Sequence, residues 1–438
     1  MIRAVKTAAV LYSVFLTFLC LPGHAQEGTM GEGWSGNSVN AVIFRKNSLV
    51  TFRNFQYAAW YNTDRRIVLA RRKLGAVKWE VRQTDFQGDA TDAHKSISLM
   101  VDGAGFLHMA WGLHSDPLNY CRSLQPGGLE MSEKIPMLGS EEDRVTYPEF
   151  YRLANGDLLF FYREGSSGNG DLVINKYSIQ SRHWIRLQRR LIDGEGHRNA
   201  YWQACIDRKG VIHISWVWRE SPEVASNHDL CYARSKDGGL TWESAGGKPY
   251  TLPITAANAE HICSIPQRSD LINQTSMTAD EDGHPIVATY WRDSGEVVPQ
   301  YHVAWFDGQV WKVSNTGFRK LAFTLGGVGT QRIPLSRPQI VAWAGPSGLA
   351  AALIFRDDER GDRISAAVTH NLVAGAWIVH DLTDSSVGAW EPTYDTEKWK
   401  EKGLLDLYVQ RVSQPADEGK PAITGSPVQV LEVDVKKL

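Results

Sequence analysis

Histidine is the side chain whose ordinary pKa places proton transfer near neutral pH. Three of the chain's 13 histidines fall in the stretch DAHKSISLMVDGAGFLHMAWGLHSDPLNYCRS, at His94, His108 and His114. RVTYPEF and FFYREGSSGNG then supply Tyr147 and Arg163. GEGHRNAYWQ carries His197, Arg198, Asn199, Tyr201 and Gln203, and WVWRESPEVASNHD carries Trp218, Arg219 and His228. Asn273, Gln274, Arg292, Arg337, Arg356 and Glu391 extend the series. Arginines around a histidine and a tyrosine suit an anionic sugar, because the guanidinium fork takes a carboxylate with two parallel hydrogen bonds. On a uronic acid, that pairing acidifies the neighbouring C5 proton. A histidine or tyrosine then removes the proton, and the substituent at C4 leaves, which is β-elimination. A conventional glycosidase needs two carboxyl groups at a set separation. The acids at hand, Glu164, Asp293 and Glu391, each stand beside an arginine or tryptophan, as a structural counter-ion would.

The elements that must hold these residues repeat. Each unit reads as a strand, a polar or glycine turn, and a strand ending in aromatics. The units are LVTFRNFQYAAWYN, LMVDGAGFLHMAWG, YRLANGDLLFFYRE, ACIDRKGVIHISWVWRE, MTADEDGHPIVATYWRD, VAWAGPSGLAAALIFRDD and KWKEKGLLDLYVQRV. A third strand follows each, from RIVLARRK to VQVLEVDV, and Trp79, Trp184, Trp242, Trp311 and Trp377 begin a fourth, outer strand in several. Apolar positions alternate, which excludes helices. Antiparallel repeats of this kind, mostly about 50 residues apart, make an all-β, seven-bladed β-propeller of four-stranded blades. Residues 30–438 are expected to form this single domain. SKDGGLTW (235–242) fits an Asp-box, S-x-D-x-G-x-T-W, a structural turn.

A meander alternates direction, so loops leading into the first strand of a blade and loops after its second strand share one face. His94 and His114 flank one hairpin and emerge on that face. His108, inside the second strand, is expected to be a satisfied core residue. Tyr147, Arg163 and the later residues named above come to the same face, while the opposite face shows short turns such as DGAG, ANGD and DRKG. Arg163, Arg219, Arg292 and Arg356 recur at the same place in their blades, so bridging between blades competes with substrate binding for each.

Composition bounds the rest. The 16 Trp and 15 Tyr suit sugar stacking, although most are expected in the core. Residues 1–25 read as an export signal: Arg3 and Lys6, then AAVLYSVFLTFLCL, then PGHA before the cut after Ala25. The apolar run is short for a membrane span, so a periplasmic or extracellular protein without membrane insertion is expected. Its removal leaves 45 basic against 49 acidic residues, a net charge of −4, which argues against a nucleic-acid partner. Cys121, Cys205, Cys231 and Cys263 lack CxxC spacing, so a zinc site is not expected, and a monomer is.

On the motifs SGNSVNAVIFR, DAHKSISLMVDG, RVTYPEFYRL, DGEGHRNAYWQA, LINQTSM, PLSRPQIV and WEPTYD, the chain resembles the BNR-repeat propellers that act on carbohydrates. That group includes lyases on rhamnosyl-α-1,4-glucuronate caps of arabinogalactan, propeller α-L-rhamnosidases on the same linkage and, more distantly, ulvan lyases. The resemblance implies that His94 and His114 are the catalytic and carboxylate-side histidines, in an order left open, with Tyr147 and Arg163 assisting. It implies no required cofactor, though some relatives hold a calcium ion in the central channel. The hydrolases use a first-blade histidine on the opposite face. Here that turn carries Gln56, and residues 26–93 hold no histidine. A lyase that cleaves the rhamnose-α-1,4-glucuronate linkage of arabinogalactan-type glycans by β-elimination, with an anionic plant or algal glycan as partner, is therefore favoured over a propeller α-L-rhamnosidase on the same linkage or a non-catalytic glycan-binding propeller. A sialidase is a weaker alternative, since RIP at Arg332 stands far from the N-terminus.

Overall fold

The computed structural model describes residues 27–415 and 425–438. The export-signal reading lies outside these residues. The strands form seven antiparallel sheets: four of four strands, two of three and one of five. The first six sequence repeats fold as inner hairpins, for example Ile97–Val101 with Leu107–Trp111 and Asn199–Ile206 with Ile212–Arg219. Inner strands of successive blades pack side by side around the axis. Each blade is buried on both faces by its neighbours, so Ile212–Arg219 is buried at every position. Trp60, Trp216, Trp218, Trp242 and Trp390 are among the largest fully buried side chains, which places much of the aromatic content between blades.

The seventh blade departs from its reading as a hairpin. KWKEK belongs to a helix, Thr396–Lys402, whose first turn is capped by Asp395 accepting from Lys398 N–H and whose end is set by Gly403 at φ 63. Acceptor before, glycine after and no alternation between is a helix signature. The blade's sheet is instead Leu405–Gln410, Gly425–Val433 and Glu27–Trp34, so the first described strand closes the ring as the outer strand of the last blade. The fourth blade also differs. Its outer strand is Glu260–Cys263, not a strand begun by Trp242. Trp242 ends a turn in which Asp237 accepts from Thr241 N–H and Oγ1–H, and the indole donates to Gly239 O.

His108 is a satisfied core residue, bonded at Nδ1 to Tyr120 Oη (2.7 Å) and at Nε2 to Asp102 (3.2 Å). His213 repeats this with Tyr232 and Asp207. The aspartate stands six residues before the histidine in both blades, so the pair is a blade device. No helix among the described residues is long and apolar enough to cross a membrane.

Candidate active site

Two local distortions build the site. The strand Val145–Arg152 is bulged between Thr146 and Glu149, and Tyr147 sits there at φ 57, a left-handed conformation a tyrosine rarely adopts. A bulge re-aims a side chain, and here Tyr147 lines the cavity. Beside it, His114–Asp116 adds to the third blade's inner edge, Thr146 facing His114. A residue from the second blade's loop is thereby fixed against the third blade.

His94 and His114 meet. Their rings stack at 4.0 Å between centroids, and Phe44 stacks on His94 at 4.9 Å. Asp92 joins the pair: one carboxylate oxygen lies 3.0 Å from His94 Nδ1, the other 2.7 Å from His114 Nδ1. Burial opposes the charge on Asp92, but hydrogen bonds from both imidazoles outweigh it and hold the carboxyl well below its usual range. Burial lowers His114 below its ordinary 6.5, against the pull of Asp92. A neutral His114 donating from Nδ1 to Asp92 keeps its Nε2 lone pair as a base.

Across the cavity stand Tyr147 and Tyr201, 5.9 Å apart, with Arg163 over the first ring (4.9 Å) and Arg219 over the second (5.2 Å). Burial and then Tyr201 push the Tyr147 phenol far up. Burial also opposes ionisation of Tyr201, but Arg219 and Arg163 outweigh it and bring the phenol down to about 7. Two like groups pushed apart is the pattern of an acid beside a base.

The recurring arginine takes four different fates. Arg356 is spent on Ile333 O, Pro334 O, Trp390 O and Asp362, and Arg292 on Asp270, Arg268 O and Glu296 O. Arg219 holds its own loop through Ser221 O and Pro222 O while lining the cavity. Arg163 lines the cavity with Nε and Nη1 buried and without a partner among the described residues. Gly170 makes room for it, since a Cβ there would lie 2.9 Å from Arg163 Cδ.

The cavity is about 230 Å³ and brings together His94, His114, Tyr147, Arg163, Tyr201 and Arg219, with Arg337 and Asn273 at its edge. Arg337 pairs both its Nε and Nη2 with Glu391 (2.8 and 2.7 Å) and covers Phe44. The other sequence candidates do not line this cavity. His197 bonds to Glu195 O, Arg198 pairs with Glu195 and Glu220, and buried Asn199 accepts from Gly168 N–H. His228 lies between Glu220 and Asp229. Gln203 points to the central channel. Sequence reasoning missed Phe44, Asp92 and Thr330, whose hydroxyl is 3.3 Å from His94 Nδ1. Asp92 carried a signal, standing two residues before a candidate histidine, and Phe44 lies within the motif SGNSVNAVIFR; Thr330 carried none.

Asp92, His94 and His114 also have metal-ligand spacing, all donor atoms lying within 4.8 Å. The central channel does not fit the calcium ion that the resemblance suggested. Its lining includes Lys46, Asn47, Tyr151, Gln203, Gln339 and Thr393, and its one carboxylate, Glu397, is paired with Arg152. Calcium takes several oxygen ligands, carboxylates prominent among them. Buried Lys46 already brings an ammonium beside Glu149, whose Oε2 is taken by Tyr151 and Trp202 and whose carboxyl burial pushes up.

Comparison with known proteins adds ancestry. Residues 55–318 match a family model described as BNR repeat-containing family member. An ulvan lyase, short isoform, of Alteromonas sp. (strain LOR) is 25% identical over 293 residues, 51% of this chain and 54% of that protein. An ulvan lyase of Nonlabens ulvanivorans is 26% identical over 265 residues, with the same 51% and 54% shares. The chain thus spans about half the length of these curated relatives. Among solved structures, the polysaccharide lyase Uly1 superposes with a TM-score of 0.69 at 15% identity, over 94% of this chain and 100% of that one. An ulvan lyase bound to -[GlcA(1-4)Rha3S]- gives 0.67 at 13%, over 93% and 95%. At such identity the likeness speaks for the fold.

Proposed function

The chain belongs to the BNR repeat-containing family, and from that premise we propose that it is a polysaccharide lyase cleaving a rhamnose–uronic acid linkage in an anionic algal or plant glycan. The observation that carries this reading is Arg163, a buried guanidinium with uncommitted donors beside two histidines and two tyrosines. A buried cation held ready beside the reacting sugar suits a carboxylate whose charge grows as the C5 proton leaves. The curated relatives named as ulvan lyases support the substrate class.

In this mechanism Arg163 pairs with the uronate. A neutral histidine takes the C5 proton at Nε2, the C5–H electron pair forms the C4=C5 double bond, and the C4–O pair departs with the leaving oxygen. Tyr147, kept protonated, gives that oxygen its proton. The rhamnosyl-α-1,4-glucuronate of arabinogalactan is the finer substrate reading, with ulvan the broader one.

The test follows from the product, because a lyase creates a double bond that absorbs in the ultraviolet and a hydrolase does not. Absorbance should rise on ulvan or gum arabic. Free rhamnose released without absorbance would instead identify a hydrolase, and retention on the glycan without turnover a binding propeller.

Asp92 does not face the sugar in this scheme; it positions both imidazoles. Asp92→Asn presents an amide to two ring N–H groups and disturbs the tautomer of at least one. The expected loss is roughly 10²–10⁴-fold in kcat with little change in KM. Loss confined to KM would show that Asp92 serves binding instead.

A further inference from the structure

The segment Phe44–Asn47, leading into the first blade, runs from the active site to the central channel. Phe44 stacks on His94, and Arg45 is spent on Asn40 O, Ala59 O and Ile97 O. Asn47 donates to Phe150 O on the third blade (2.6 Å) and stands at φ 57, a left-handed turn that asparagine tolerates. Between these two anchors Lys46 lines the channel, its Nζ buried and without a hydrogen-bond partner among the described residues. Glu149 comes to the same place from the third blade. It stands two residues before the channel-lining Tyr151, so alternation along the strand turns it to the axis as well. Its Oε2 accepts from Tyr151 Oη and Trp202 Nε1, while Oε1 is buried without a partner among the described residues. Burial pulls the Lys46 ammonium down and pushes the Glu149 carboxyl up, and each is the strongest charge favouring the other's ionised form.

This pair lies beneath the reacting groups. Glu149 ends the bulge that turns Tyr147 into the cavity, and Trp202, held by Glu149, meets the Tyr147 ring edge-on at 6.2 Å between centroids. A carboxylate buried so deeply needs a compensating charge. A calcium ion would need several oxygen ligands around it, and the ammonium already stands among the groups that would supply them. We propose that Lys46 is the channel's built-in cation: it takes the place of an axial metal ion and, through Glu149 and Trp202, acts as a positioning residue for Tyr147. Its effect on stability is independent of the lyase reading, and its effect on turnover rests on that reading.

Thermal melting and turnover test it. In the natural chain neither EDTA nor millimolar CaCl2 should move the melting temperature. Lys46→Met keeps the stem but strands the carboxylate, so it should melt several degrees lower and lose kcat several-fold with KM held. Lys46→Met/Glu149→Gln removes both charges, and its amide oxygen can still accept from Tyr151 and Trp202. It should recover most of both losses, as a coupled pair requires. Lys46→Ala vacates the ammonium's place. It leaves Glu149 Oε1 and the partnerless hydroxyl of Ser98, which shares the channel-lining face of Met100, as oxygen donors on the axis. CaCl2 should therefore raise the melting temperature of Lys46→Ala, and EDTA should reverse the rise. If Lys46→Met does not fold, a folded double variant still supports the pair, whereas a double variant that also fails to fold overturns it. The proposal is equally overturned by a natural chain that EDTA destabilises, by a double variant no better than Lys46→Met, or by Lys46→Ala indifferent to calcium. Absent absorbance from the natural chain would reject the lyase reading alone, because the melting comparison needs no substrate.

Discussion

Replacing His114 with alanine should lower kcat by roughly 10²–10⁴-fold, the range for loss of a positioned general base, while the propeller stays folded. The backbone of His114 is held independently of its ring, through its N–H to Asp116 (2.8 Å) and its pairing with Thr146. Its side chain is 29% exposed, against 10% for His94. What the substitution removes is one hydrogen bond to Asp92 and one stacked face, a modest cost of about 1 kcal/mol for the bond. His94→Ala should be comparably damaging to turnover but costlier to stability, since His94 is packed between Phe44 and His114. Full activity in both variants would refute the site. The pH profile separates the candidate bases. His114 titrates below its ordinary 6.5, so its base form is complete at neutral pH and is lost only as acid carries it through that lowered pKa. A Tyr201 phenolate would impose a rising limb near 7 instead. We expect kcat/KM to rise with pH below 6.5, with the limb surviving in Tyr201→Phe. Its disappearance in that variant would assign the base to Tyr201.

That His94 and His114 share a site was legible from strand counting alone, because direction reversal in a meander puts both flanks of a hairpin on one face. The repeat likewise exposed six inner hairpins, and the position of His108 inside a strand showed it to be core. What stayed hidden depends on closing the ring. Phe44 lies far from His94 in sequence and reaches it only when the crossover into the first blade packs over the second. The outer strand of the last blade is the first described strand, a pairing no local pattern announces. The helix Thr396–Lys402 was legible from its caps but was overridden by the repeat's rhythm. Arg163, Arg219, Arg292 and Arg356 occupy equivalent positions, yet their partners come from loops whose courses sequence does not fix. His197 and Arg198 shared a motif with Tyr201 but stand in the tight turn before its strand, while Asn199 and Gln203 share Tyr201's face of the strand and lie one step toward either end of it, where Asn199 accepts from Gly168 N–H and Gln203 lines the central channel.

Those four arginines supply the second large effect. Arg163→Ala should reduce kcat/KM by roughly 10²–10³-fold on a uronate-containing glycan, and Arg163→Lys should recover only part of it, since an ammonium cannot reproduce a bidentate fork. The loss should be specific to the charged sugar: binding of a carboxyl-reduced glycan should be weak in the natural chain and no weaker in the variant. A bridging role between blades, the rival explanation for a recurring arginine, predicts that removal destabilises the fold. Arg163 points the other way. It is 1% exposed, with Nε and Nη1 lacking hydrogen-bond partners among the described residues, and burying donors unmet costs stability that the Tyr147 ring beneath the guanidinium offsets only in part. Arg163→Met, which keeps the unbranched stem, should therefore match or exceed the natural chain in thermal stability while losing activity, the opposition expected where a site is strained for function. Arg356→Met makes the contrast. Its guanidinium is satisfied by three carbonyls and Asp362, and its loss should lower the melting temperature. If Arg163→Met falls as far as Arg356→Met, then Arg163 is a structural bridge and the carboxylate seat lies elsewhere.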